Sequence, residues 1–166
     1  FVGQCVIVAL SLLDGSQQWI KTSTSGNVVP TLVLNEADVC VFSGVQGPYV
    51  DFNGDNQPND LLGTSMLTAG LDQTTGEQKW QVLSGTEVTN DLPLQIEACS
   101  DGGVVTFCLA GEGVFHYPNE SFKIEGTHSA VVTKINKGGE VAWCKSSGGE
   151  GDNAPPTESQ TGMNLT

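Results

Sequence analysis

The chain has 166 residues, a formal charge of −13 and no arginine; its six basic residues are all lysine. Such a surface repels nucleic acid and anionic lipid, which excludes both as expected partners, although it tolerates or recruits divalent cations. Charged residues make up only 15% and glycine reaches 21, a balance that suits short strands and tight turns, and no stretch holds a helical period.

Val6–Leu13 is apolar enough to imitate the core of a signal peptide and too short to cross a bilayer, so membrane insertion is not expected. It aligns with two internal segments, which favours a strand. The first unit therefore reads as strands near 5–11 and 17–23 about the turn Asp14-Gly15, with Trp19 after the turn. Pro30 opens a second pair, 31–35 and 39–43, about a looser turn at Glu36-Ala37-Asp38.

Beyond it, Asp51, Asn53, Asp55 and Asp60 place side-chain oxygens in one loop, the ligand type a hard cation such as Ca²⁺ takes. Asn56 and Leu62 stand where an EF-hand loop needs glycine and glutamate, so this is not that motif, and a solvated turn is the alternative.

The second unit repeats the first. Strands are expected near 65–72 and 78–84 about Thr75-Gly76, followed by Trp80; Pro93 then opens 93–99 and 104–110 about Asp101-Gly102. Glycine in these turns accepts the positive φ that tight reversals need. The third unit has only the first pair, near 129–135 and 140–146, with Trp143 after a Gly138-Gly139 turn one residue shorter. The three tryptophans are spaced 61 and 63 apart, and all the tryptophan in the chain occupies this one position. One tryptophan per unit suits a buried layer between units better than a ligand site, which would need only one.

Periods of this size mean stacked arrays or propellers, because a four-stranded unit cannot bury both faces alone. The expected fold is all-β: a β-propeller-type array of four-stranded antiparallel blades, two complete and half of a third. Residues 1–62 form blade one with its linker, 63–125 blade two with its linker, and 126–166 the first half of blade three.

Asn119-Glu120-Ser121 and Asn164-Leu165-Thr166 are N-glycosylation sequons, making Asn119 and Asn164 candidate acceptors. The segment 154–161, rich in Pro, Thr and Ser, suits O-glycosylation or a plain loop. Cys5, Cys40, Cys99, Cys108 and Cys144 form no C-x-x-C pair. The expected hairpin register holds Cys99 and Cys108 apart, and Cys5 and Cys40 lie three strands apart, so any disulfides should join different blades or chains.

The third unit, with Gly126, Ala130-Val131-Val132-Thr133-Lys134-Ile135-Asn136, Gly138-Gly139, Trp143 and Gly148-Gly149-Glu150-Gly151-Asp152, resembles the SBBP-type β-propeller repeat. The connecting stretches around Phe52, Phe115 and Phe122 fit it too. The resemblance implies secreted or surface-exposed repeat proteins without common catalytic residues, used in adhesion, scaffolding or surface assembly. Ala69-Gly70-Leu71-Asp72-Gln73-Thr74-Thr75-Gly76 with Trp80 is also similar to the quinoprotein propeller repeat, but the vicinal cysteine pair of many quinone-dependent dehydrogenases is missing.

No G-x-S-x-G elbow occurs, and neither His116 nor His128 has a partner motif. The expectation is a non-catalytic extracellular or cell-surface module with no required cofactor. Its partners would be copies of itself or further blades, with glycans or surface proteins as candidate ligands. A ligand-binding or quinone-dependent propeller enzyme is the alternative.

Overall fold

The computed structural model describes residues 3–36, 38–46, 52, 65–87 and 91–147. The protein is all-β, without helix among these residues, and its antiparallel sheet is strongly curled into a half-barrel. Among the described residues nine strands run in chain order: β1 (Gly3–Leu10), β2 (Gln17–Leu34), β3 (Asp38–Gln46), β4 (Ser65–Asp72), β5 (Gln78–Thr86), β6 (Leu92–Ala98), β7 (Val104–Tyr117), β8 (Glu120–Ile135) and β9 (Val141–Ser146). Hydrogen-bonded neighbours follow the order β1-β2-β3-β4-β5-β7-β8-β9, with β6 on the other flank of β7.

Every strand expected from the sequence is present, but two expected breaks are absent. Strands 17–23 and 31–35 are one continuous β2, which pairs with β1 through its first half and with β3 through its second. The β2–β3 ladder is irregular between Val28 and Thr31, and Pro30 sits in that gap. A proline cannot donate to a ladder, so it survives inside a strand only where the ladder is already interrupted. Pro93 lies at a similar irregularity in β6. Residues 111–126, expected as a linker between blades, instead extend β7 and β8 into a hairpin closed by Tyr117 opposite Glu120. Its reason is aromatic: Phe115 faces Phe122 across the ladder, with ring centroids 5.4 Å apart.

Alternation along β3 and β4 sends side chains into two separate cores. Val39, Val41 and Val45 with Leu67, Ala69 and Leu71 meet Cys5, Ile7 and Trp19 from β1 and the first half of β2. On the opposite face, Cys40, Phe42, Met66 and Val82 meet Ile96, Val104, Cys108, Val131 and Ile135 from β6 to β8. The chain thus packs as three layers. The first is β1 with the start of β2; the second is the rest of β2 with β3, β4 and β5; the third is β6 to β9. Phe42, Met66, Leu67 and Leu71 are almost wholly buried in the middle layer. Burying each such side chain stabilises the fold by about 1.5–3 kcal/mol.

Strands that the sequence assigns to successive units are also hydrogen-bonded neighbours: β3 pairs with β4 in unbroken register from Asp38↔Asp72 to Val45↔Ser65. A buried carboxylate fastens the second layer to the third. Asp91 accepts hydrogen bonds from the Thr86 amide, from Thr86 Oγ1 at 3.0 Å and from the Gly111 amide at 3.2 Å.

Candidate interaction site

Three hairpins carry the repeat, and they agree in detail. In each, the turn is closed by a pair of backbone bonds: Ser11 N to Ser16 O and Gly15 N to Ser11 O; Asp72 N to Glu77 O and Gly76 N to Asp72 O; Asn136 N to Glu140 O and Gly139 N to Asn136 O. The turn glycines have φ of 74°, 71° and 89°, the left-handed region that a side chain resists. The third turn is one residue shorter, as its sequence requires. The register then slips beside each tryptophan, between Ala9 and Leu10, between Gly70 and Leu71, and between Lys134 and Ile135. That bulge re-aims the following side chain. It brings Trp19 opposite Ala9, Trp80 opposite Gly70 and Trp143 opposite Lys134.

Trp19 and Trp80 each meet the turn of the next hairpin rather than their own. A Cβ added to Gly76 would lie 2.7 Å from the Trp19 ring, and one added to Gly139 would lie 2.7 Å from Trp80 Cβ and 2.9 Å from its Cγ. The indole therefore rests on bare glycine backbone, and only glycine leaves room for it. Trp19 Nε1 also donates to the Gln73 carbonyl of that turn at 2.9 Å. Trp80 Nε1 has no acceptor among the described residues. Gly70, opposite Trp80, is required for the same packing, since a Cβ there would lie 2.3 Å from the ring.

Burial follows the series. Trp19 is 8% exposed, Trp80 is part-buried and Trp143 is 43% exposed. The expectation that the three tryptophans occupy equivalent buried positions, one per blade, is thus corrected at Trp143: the position is equivalent, but it is exposed, and no glycine turn covers it among the described residues. At the other end, the Gly15 turn has open space where Gly76 and Gly139 hold a ring.

Ion pairs stiffen the turns. Lys79, the residue before Trp80, reaches Asp38 Oδ1 at 2.7 Å and Asp72 Oδ2 at 3.0 Å. The Lys79 hydrogen bond, with the amides of Thr75 and Thr74, holds the Asp72 carboxyl down at about 2. Asn35 Nδ2 donates to the Gly102 carbonyl at 2.8 Å, tying the β2–β3 turn to the β6–β7 turn.

None of the five cysteines forms a disulfide. Cys108 lies opposite Pro93 in the ladder, while the Cys99 amide bonds back to Gly103 at the turn, which keeps the two apart as expected. Burial pushes the Cys40 thiol up to about 12 and raises Cys108 and Cys144 as well. Thiols so placed are poor nucleophiles.

The candidate calcium ligands Asp51, Asn53, Asp55 and Asp60 lie outside the described residues, as does Asn164. Among the described residues, no three acidic, histidine or cysteine side chains gather as a metal cluster. Asn119 is exposed at the tip of the β7–β8 hairpin, with φ 69° after Pro118. Proline followed by a positive-φ asparagine is the pattern of a type II turn.

The sequence disclosed the tryptophans and the turn glycines but assigned both to one hairpin. Their contact across successive hairpins was missed, although the constant period carried the signal. No family model, curated protein or solved structure matches the chain.

Proposed function

We propose that the chain is a non-catalytic structural and adhesion module of the β-propeller type, a building block of a larger extracellular or cell-surface assembly. The observation that carries this reading is the repeated seam, in which the tryptophan of one hairpin rests on the turn glycine of the next. A contact repeated at every unit is what a stacking array needs; a ligand site needs it once. The three packed layers serve as blades in this reading, offset by two strands from the sequence units 1–62, 63–125 and 126–166. The likeness to the SBBP-type repeat supports the same class. Buried, deactivated thiols suit a scaffold rather than thiol chemistry.

Asn119 is proposed as a glycan site in a secretory setting, since its hairpin tip is open to a transferase; intact mass before and after glycosidase treatment tests it. The assembly itself is tested by light scattering over a concentration series, with electron microscopy of the same samples. Particles heavier than the 17.4 kDa chain are expected, growing with concentration. A mass fixed at that of one chain contradicts the reading.

A further inference from the structure

The first and last described layers carry what the layers between them have already joined. Aligned on their turns, Val6, Val8 and Leu10 of β1 correspond to Leu67, Ala69 and Leu71 of β4 and to Val131, Thr133 and Ile135 of β8. The β4 residues are all 0% exposed, held against the layer before them, and the β8 residues are no more than 5% exposed. Their β1 counterparts are 53%, 45% and 57% exposed. Ile20, facing Val8 across the ladder, is 50% exposed on the same side. This is a leading face built to core pattern and left open beside the uncovered Gly15 turn.

At the far end, Trp143 has the position of Trp19 and Trp80, aimed away from the second core, and is the exposed member of the series. Among the described residues the trailing face thus lacks a glycine turn, and the leading face offers one. The residue types are complementary: Lys145 lies two residues beyond Trp143 on the same face of β9, and Asp14 adjoins Gly15.

We propose that Trp143 of one copy seats on the Gly15 turn of a second copy, so that chains join head to tail by the contact that joins layers within a chain. This rests on the reading of the chain as a self-assembling building block. The occupant is a second copy because the chain's own first turn matches the six-residue turn that already receives Trp19, hydrogen bond for hydrogen bond. A head-to-tail interface is heterologous, so it closes into a ring or extends as a filament.

The test uses complementary blocked ends. Trp143→Glu disables the trailing face and Val8→Glu the leading face, with Ile20→Glu as a second leading-face variant should Val8→Glu fail to fold; circular dichroism checks each. In analytical ultracentrifugation the native chain is expected to assemble, and each variant alone to sediment as one chain. An equimolar mixture of the two is expected to form a complex of two chains and no larger, because one good head meets one good tail. If the native chain assembles and the variants assemble equally well, the Trp143–Gly15 interface is wrong while the building-block reading stands. A mixture that remains single chains also overturns the head-to-tail contact. A native chain that never assembles overturns both.

Discussion

Trp19 and Trp80 hold the same place in the repeat, on the same kind of bulge, above the same kind of glycine, yet only one is fully served. The turn beneath Trp19 has six residues and presents the Gln73 carbonyl to the indole N–H. The turn beneath Trp80 has five, and none of its carbonyls accepts from the Trp80 N–H. The ring contact survives the deletion and the polar contact does not. The seam is thus first an apolar fit of ring on glycine and only second a hydrogen bond. Trp143 extends the comparison to a site with neither among the described residues.

The largest expected effect comes from truncating the rings themselves. Trp19→Ala should cost about 3–5 kcal/mol, the usual range for a buried tryptophan. Trp80→Ala should cost less, since its ring is part-exposed and its N–H has no bond to lose. Trp143→Ala should fall within about 0.5 kcal/mol, as for other exposed positions. Urea unfolding at a concentration where the chain is monomeric measures all three, and a Trp143 loss as large as that of Trp19 would break the comparison.

The glycines separate backbone strain from contact. Gly15→Ala and Gly76→Ala both force alanine into left-handed backbone, a cost of about 1–2 kcal/mol. At Gly76 the new methyl also meets the Trp19 ring, which adds about 1–3 kcal/mol of overpacking. The difference between the two variants, again from urea unfolding, isolates the seam. Equal losses would mean the ring yields freely.

Lengthening the third turn should repair the weaker seam. One residue inserted between Lys137 and Gly138 restores the six-residue form and a carbonyl for Trp80 Nε1. A buried donor without a partner costs about 1–3 kcal/mol, so a gain of about 1 kcal/mol is expected. A loss of stability on insertion would show that the orphan N–H is not what the deletion left behind.

Acid sharpens the same contrast at the turns. Asp72 closes the second turn where Asn136 closes the third. Its folded value of about 2 lies below its ordinary 3.8, so its stabilisation is complete above the ordinary value and is lost as pH falls through about 2. Asp72→Asn should be less stable than the native chain at neutral pH and should lose the Asp72 share of the acid sensitivity between about pH 4 and 2. Thermal melts across that range check it, and an unchanged acid slope would contradict the Lys79–Asp72 geometry.

Much of this architecture was legible in the chain. The tryptophans after glycine turns marked the hairpins, and Asp101-Gly102 marked the β6–β7 reversal with its cysteines apart. The misreadings have physical causes. Thr24 to Pro30 looks like a loop because glycine and proline weaken a ladder, but a ladder irregularity absorbs Pro30 and lets β2 run on. Residues 111–126 look like a linker because glycines flank them, and Phe115 with Phe122 turns them into a hairpin. The tryptophans were legible as the layer between units, but their glycine partners were not, because alternation within one hairpin says nothing about which turn lies above it.

The central claim is that three equivalent tryptophans differ in whether a following turn covers them. Acrylamide quenching of three variants, each keeping one tryptophan with the other two replaced by phenylalanine, tests it most directly at dilution where the chain is monomeric. Trp143 should quench most readily, Trp80 less and Trp19 least. Trp19 fluorescence quenched as readily as that of Trp143 would contradict the account.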